Sequence, residues 1–415
     1  MIYLQGLFGI LVLIGIAWGV SENRRGVDWR VAGVALVVQF AVAAALLKVP
    51  FIRALFVYLN DGVLALQAAT LEGTKFVFGY VGGDTPPFTV TNAGANFILA
   101  FQSLPLVLVV GALSALLWYW RVLPVIVNAF AWALKKTLGV GGAVGVTAAA
   151  NIFVGMIEAP LLVKPYISRL TRSEMFVVMT VGMATIAGTM LVLYATAVSA
   201  FLENAIAHLL IASIISAPAA IMISLIMVPA DPGDPGTEGE PEVSYSSSME
   251  AITRGAQEGL NLFLYIIAML IVLVALVALV NSILGLLSAF HGAAITLQRV
   301  LGWIMAPFVW LMGIPWSEAQ VAGQLMGVKI VLNEFIAYLQ MAALPEGTLS
   351  QHSRFVMTYA LCGFANFGSL GIMLAGLIAM APERRAEIAG LGLKSILSGT
   401  LATAMTGAIA GLIAG

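Results

Sequence analysis

Apolar positions fall in long runs near 3–20, 31–48, 96–119, 174–201, 205–228, 258–284, 354–381 and 388–414. Each run is close to the roughly 20 helical residues needed to cross about 30 Å of hydrocarbon. The pattern predicts eight transmembrane helices. Two further stretches, 142–172 and 315–342, are apolar in two halves separated by polar or helix-breaking residues. A half of about a dozen residues rises only about 18 Å, so each stretch is expected to be a re-entrant hairpin that enters and leaves on the same side. Irregular backbone survives at membrane depth only where protein or a wet cavity covers it, which turns both hairpin tips inward. The segment "FIRALFVYLNDGVLALQAATLEGTKFVFGYVGG" is apolar but interrupted by charges and amides, and reads as one or two helices lying on the membrane.

Composition supports this reading. Of the 415 residues 61% are hydrophobic and 9% charged, where an average soluble chain has about 25% charged. The net charge of -1 and the lack of basic runs leave no electrostatic footprint for nucleic acid. Cys362 is the only cysteine, so neither a disulfide within the chain nor a zinc motif can form. His208, His291 and His352 are far apart and read as isolated residues at membrane edges. The N-terminal run lacks a basic lead-in and a small-residue cleavage site, and is expected to stay as the first span. With both ends outside, eleven Lys/Arg residues fall on cytoplasmic segments against five on outer ones. The positive-inside rule therefore predicts a multi-pass protein of the plasma (bacterial inner) membrane with both termini on the non-cytoplasmic side. The acidic, Pro/Gly/Ser-rich stretch 230–250 reads as a flexible cytoplasmic loop.

The two hairpins share a setting. "GMATIAG" (182–188) follows the first and "GFANFGS" (363–369) follows the second, each a mid-span interruption of small and polar residues. The order hairpin, interrupted helix, plain helix occurs twice, with three crossings between the hairpins, so the second copy is inverted. Inverted repeats with broken helices meeting at the midplane characterise secondary transporters. The predicted organisation is residues 1–120 as scaffold helices 1–3 with interfacial helices, 121–229 as the first transport repeat, 230–250 as the loop, 251–290 as scaffold helix 6, and 291–415 as the second transport repeat.

Glu158, in "AANIFVGMIEAP", and Glu334, in "KIVLNEFIAY" beside Asn333, stand where an unpaired carboxylate costs several kcal/mol. Each is expected to face a ligand or cavity, or else to pair with Lys164 or Lys329. Asn151, Val154, Thr185 and Ile186 combine an amide oxygen, a hydroxyl and backbone carbonyls freed at a hairpin tip and an unwound helix. Such a set suits a hard monovalent cation, although Asn and Thr also bind transmembrane helices together.

The stretches "AAANIFVGMIEAPLLVKPYI", "GIPWSEAQVAG", "NEFIAY" and "ALCGFANFGSLGIM" resemble the concentrative nucleoside transporter family in its short bacterial form, and the likeness covers nearly the whole chain. The resemblance implies an all-α polytopic membrane protein, eight transmembrane helices plus two re-entrant hairpins, with an inverted-repeat transport domain of discontinuous helices that works as an elevator. It also implies a homotrimer and import of a nucleoside coupled to a cation, with the sodium ion as the coupling ion. By motif, the nucleobase-facing acid falls on Glu158, the ribose-binding group on Glu334, Asn366 and Ser369, and a ligand-packing ring on Phe364. Gly155, Met156 and Ile157 join them at the first tip, and the sodium ligands match Asn151, Val154, Thr185 and Ile186. The chain departs from the family pattern at Met156 and Ile157, where polar residues that read the base are expected. This implies retained sugar recognition with looser or shifted base preference, and leaves open another ribosylated or small polar solute and proton coupling. An intramembrane enzyme using Glu158 and Glu334 as acid and base would lack any accompanying nucleophile or DDxxD motif.

Overall fold

Helix α1 (Ile2–Gly19) leads into α2 (Trp29–Lys48), whose start is fixed by Asp28, a side chain accepting from Arg30 N at 2.9 Å and Val31 N at 3.3 Å. The computed structural model describes residues 2–89, 97–156, 158–230, 245–287 and 294–414. Ile157, residues 231–244 of the expected loop, and His291 lie outside the described residues. The interfacial stretch forms one helix, α3 (Pro50–Phe78). The short α4 (Leu99–Gln102) and α5 (Leu106–Tyr119) make up the third span.

The first repeat starts with α6 (Val122–Leu138). Its hairpin is α7 (Gly142–Asn151), a non-helical tip, and the short α8 (Glu158–Leu161) and α9 (Lys164–Ile167). The fourth span is split into α10 (Arg172–Ala184), entered through a Thr171–Glu174 capping box, and α11 (Gly188–Val198); α12 (Ala205–Met227) completes the repeat. Between the repeats, α13 (Ser248–Leu284) runs for 37 residues with an apolar surface exposed from Leu264 to Ile283. It crosses α5 at glycines. A β-carbon on Gly255 would come within 2.5 Å of the Gly111 carbonyl, and one on Gly259 within 2.8 Å of Leu108 Cα, the close approach that small residues spaced by four allow.

The second repeat begins with α14 (Leu297–Leu311), and its hairpin is α15 (Trp316–Val331) and α16 (Glu334–Ala342). The seventh span is split into α17 (Gln351–Leu361) and α18 (Phe367–Met380), and α19 (Arg385–Ala414) ends the chain. The eight expected spans are thus all helical, and the two interruptions at 182–188 and 363–369 are real breaks.

The hairpins enter from opposite ends of the molecule. Gly6 of α1 lies against Leu412 of α19, so the two termini share one end. At that end Gln5 Nε2 donates to the carbonyls of Trp310 (2.6 Å) and Ile314 (2.9 Å), at the start of the second hairpin. At the other end Arg384 donates to the carbonyls of Ile167 (3.1 Å) and Leu170, where the first hairpin leaves. Arg172 and Lys394 meet Glu22 there too. Helices α1 and α2 lie along α12 and α19, and Gln39 donates to Thr406 Oγ1 at 3.3 Å inside that interface.

Candidate functional site

The four interruptions meet at the centre. Gly188 N, opening α11, donates to the Phe153 carbonyl in the first tip at 2.9 Å, and Thr185 Oγ1 donates to the Asn151 carbonyl at 3.4 Å. Phe364 N, in the second break, donates to the Thr185 carbonyl at 3.3 Å. Asn366 Nδ2 donates to Glu334 Oε2 in the second tip at 2.8 Å. One run of hydrogen bonds therefore links tip, break, break and tip, which is how a chain with interrupted helices satisfies freed backbone groups away from water.

Glu334 is only 2% exposed. Tyr194 of α11 donates its hydroxyl to Oε1 while Asn366 takes Oε2, so residues of both repeats aim one carboxylate. Asn366 is fixed in turn, because its Oδ1 accepts from Ser369 N at 2.7 Å as the cap of α18. Asn333 has the parallel role for α16, accepting from Ile336 N at 2.9 Å, and it also lines the cavity that Glu334 faces. A carboxylate offers about four acceptor positions, so Glu334 keeps two after Tyr194 and Asn366 are served.

Glu158 opens α8 at the first tip. Gly155 has φ 117°, and a β-carbon there would lie 2.7 Å from Glu158 Oε2. That conformation is open to glycine without strain, and it lets the carboxylate fold over the tip. Gly155, Met156, Glu158, Glu334, Phe364, Asn366 and Ser369 line one cavity. The remaining expected substrate position, Ile157, lies outside the described residues. The opposite wall is α13, through Leu262, Tyr265 and Met269, and Tyr265 donates to the Gly368 carbonyl at 3.3 Å. A second cavity shares Glu158 and Leu262 with the first. It runs toward the start of α13, past Trp118, Glu258 and Arg254, whose guanidinium sits 5.4 Å from the Tyr245 ring.

Of the expected cation ligands, Asn151 and Val154 belong to the first tip and Thr185 and Ile186 to the first break. Asn151 is 1% exposed, and neither Oδ1 nor Nδ2 has a hydrogen-bond partner among the described residues. Thr185 spends its proton on Val181 O at 2.9 Å and on the longer bond to the Asn151 carbonyl, leaving oxygen lone pairs. An orphaned amide oxygen beside a hydroxyl and the carbonyl end of α10 fits a hard cation that takes oxygen ligands. Among the described residues no group of His, Cys, Asp and Glu is arranged to hold a metal ion.

Sequence reasoning missed two residues. Tyr194 stands in "MLVLYATAV", where a lone aromatic reads as packing; its signal was a hydroxyl in mid-span. Lys329 entered only as a pairing partner, yet no ion pair joins it to Glu334 among the described residues. It is fully buried and donates to the Ala360 carbonyl at 3.1 Å and to Thr403 Oγ1 at 2.9 Å. Lys164, the other candidate, is exposed. His208 is not isolated, since its Nδ1 is 2.8 Å from the Tyr359 hydroxyl.

Two inverted hairpin-and-broken-helix units closing on one cavity, largely apolar but carrying two carboxylates, inside an apolar helical body define a secondary transporter. The comparisons with known proteins narrow this class. Residues 8–81 and 208–411 match the N- and C-terminal parts described as Na+ dependent nucleoside transporter, and residues 100–201 match a part described as nucleoside recognition. The nucleoside permease NupC of Helicobacter pylori is 36% identical, over 99% of this chain and 98% of its own. The structure of CNTnw in an inward-facing substrate-bound state superposes with a TM-score of 0.90 at 35% identity, covering 100% of both chains. A variant of CNTnw in an outward-facing state gives 0.90 at 34% identity, covering 100% of this chain and 98% of that one. The chain belongs to the concentrative nucleoside transporter family, a family of transporters and permeases rather than enzymes.

Proposed function

We propose that this protein imports nucleosides across the plasma membrane, driven by an inward sodium gradient, with the two repeats moving as an elevator against α5 and α13. The observation that carries this reading is the single cavity enclosed by Glu158 and Glu334 at the two hairpin tips. The two acceptor positions left on Glu334 suit the vicinal hydroxyls of a ribose, with Asn366 and Ser369 beside them. The base then lies toward Glu158, Met156 and the Phe364 ring. Met156 supplies no hydrogen bond, and an apolar wall discriminates by only about 1–3 kcal/mol per group, so selection falls on the sugar more than on the base.

Sodium is held by Asn151 Oδ1, Thr185 Oγ1 and the carbonyls of Val154 and Ile186. The cation, once bound, ties the first tip to the first break, and that tip carries Glu158. Nucleoside and cation therefore each favour the arrangement the other needs, which is thermodynamic coupling. The similarity to both inward- and outward-facing structures of CNTnw supports alternating access by movement of the repeats. Family resemblance supports assembly as a homotrimer, with the exposed apolar face of α13 turned to lipid or to a partner copy.

Uptake of radiolabelled uridine and adenosine into proteoliposomes tests the proposal, with inward sodium, potassium and proton gradients compared. Accumulation with sodium alone is expected. Equal uptake under a proton gradient without sodium would transfer the coupling to protons, and no uptake of any nucleoside would refute the proposal.

A further inference from the structure

The transport reading leaves one buried charge without a task. Lys329 is 0% exposed, and the other buried polar groups among the described residues are hydroxyls, the amides of Gln39, Asn151 and Asn366, and the Glu334 carboxylate. A lysine is almost never fully buried unless it is paired, and the hydrogen bonds of its ammonium run to a neutral carbonyl and a neutral hydroxyl.

The repeat explains the position. In the first repeat, Asn151 ends the first half of the hairpin (α7) and lies against the C-terminal end of the first half of the broken span (α10, ending at Ala184). In the second repeat, Lys329 lies near the end of the first half of its hairpin (α15, ending at Val331) and reaches the last turn of the first half of its broken span (α17, ending at Leu361) through the Ala360 carbonyl. A helix C-terminus carries partial negative charge and attracts a cation. Both junctions offer a freed carbonyl end with a threonine hydroxyl near it, Thr185 from the first break itself and Thr403 from the neighbouring α19. The first has an orphaned amide oxygen, whereas the second already holds an ammonium. Glu334 lies five positions beyond Lys329 in the same hairpin, so the two opposite charges travel in one rigid unit. A moving body that carries an uncompensated carboxylate past an apolar wall faces a desolvation cost of several kcal/mol.

We propose that Lys329 is a tethered cation: its ammonium takes, in the second repeat, the place an exchangeable cation takes in the first, balances Glu334, and sets coupling at one exchanged cation per nucleoside. This rests on the cation-coupled reading above. Without Lys329 the second junction must recruit a cation from solution before Glu334 can be carried.

The test measures, in proteoliposomes, the ratio of charge moved to uridine taken up and the order of uptake in sodium. Wild-type protein is expected to move one charge per uridine with first-order sodium dependence. Lys329→Met, which keeps the length of the chain without its charge, is expected to turn sodium dependence second-order and to raise the half-saturating sodium by about tenfold or more. Lys329→Arg is expected to stay first-order. A Lys329→Met protein with wild-type order and half-saturation would overturn the proposal, and so would a wild-type ratio of two charges per uridine, which needs no variant to fold. Wild-type uptake indifferent to every cation gradient would sink the coupled reading itself, an outcome distinct from a failure confined to the variant.

Discussion

Replacing Glu334 by glutamine tests the sugar half of the site. The carboxylate accepts from Tyr194 and from Asn366 at 2.8 Å, and two acceptor positions remain for ribose hydroxyls. Hydrogen bonds to a charged group contribute about 1.5–3 kcal/mol each. A glutamine keeps one oxygen, and its amide must face either the Tyr194 hydroxyl or Asn366 Nδ2, both donors, or turn toward the ligand. At best it recovers one neutral bond of about 1 kcal/mol. The net loss is about 2–5 kcal/mol, or roughly 30-fold to a few thousandfold in uridine affinity. The assay is equilibrium binding of tritiated uridine to purified protein, with competition by 2′,3′-dideoxyuridine. Wild-type protein is expected to prefer uridine strongly, and Glu334→Gln to bind both alike. Tyr194→Phe leaves the ligand-facing positions intact and is expected to weaken uridine by about tenfold or less. A Glu334→Gln protein that keeps the preference for uridine over the dideoxy analogue would refute the placement of ribose at this carboxylate.

Three further outcomes follow from the geometry. Asn151→Ala removes the orphaned amide oxygen and is expected to raise the half-saturating sodium for uptake by about tenfold or more while leaving uridine affinity at saturating sodium near wild type; an unchanged sodium titration contradicts the cation site. Met156→Gln returns a polar group to the first tip and should tighten pyrimidine nucleosides by about 1 kcal/mol; equal or weaker binding in a competition assay means the base sits elsewhere. At the charged end of the molecule, the Arg172 guanidinium, together with Lys394 and against partial burial, holds the Glu22 carboxyl at about 2. A depressed carboxylate adds stability above the ordinary carboxylate range that is lost as pH falls toward 2. Because the cluster is partly exposed, its contribution is discounted to about 1 kcal/mol. Glu22→Gln is therefore expected to melt about 1–2 °C lower at neutral pH, with the gap closing in melts near pH 2; a gap independent of pH would assign the effect to packing.

The hairpins and broken spans were legible because their signal is local. Asn151, Gly155 and Glu158 interrupt one apolar run, and Asn333 and Glu334 another, and such interruptions have few outlets in a bilayer other than a tip facing protein. The breaks at Thr185 and Asn366 announced themselves by small and polar residues at matching offsets. Convergence of Glu158 and Glu334 on one cavity followed from the inversion. Tyr194 and Lys329 were not legible in the same way. A tyrosine among leucines and a lysine in a hairpin take their meaning from partners more than a hundred and about thirty residues away, Glu334 and Ala360. The lie of α1 and α2 along α12 and α19 was hidden for a related reason: all four are apolar around much of their circumference, so periodicity does not say which face meets which helix.

A nucleoside-bound structure determined in sodium tests the central claim most directly. The ribose hydroxyls are expected at Glu334 and Asn366, the base between Glu158, Met156 and Phe364, and a cation at Asn151 and Thr185. A nucleoside seated only in the second cavity beside Arg254 and Tyr245, with the space between the two hairpin tips filled by water, would contradict the account.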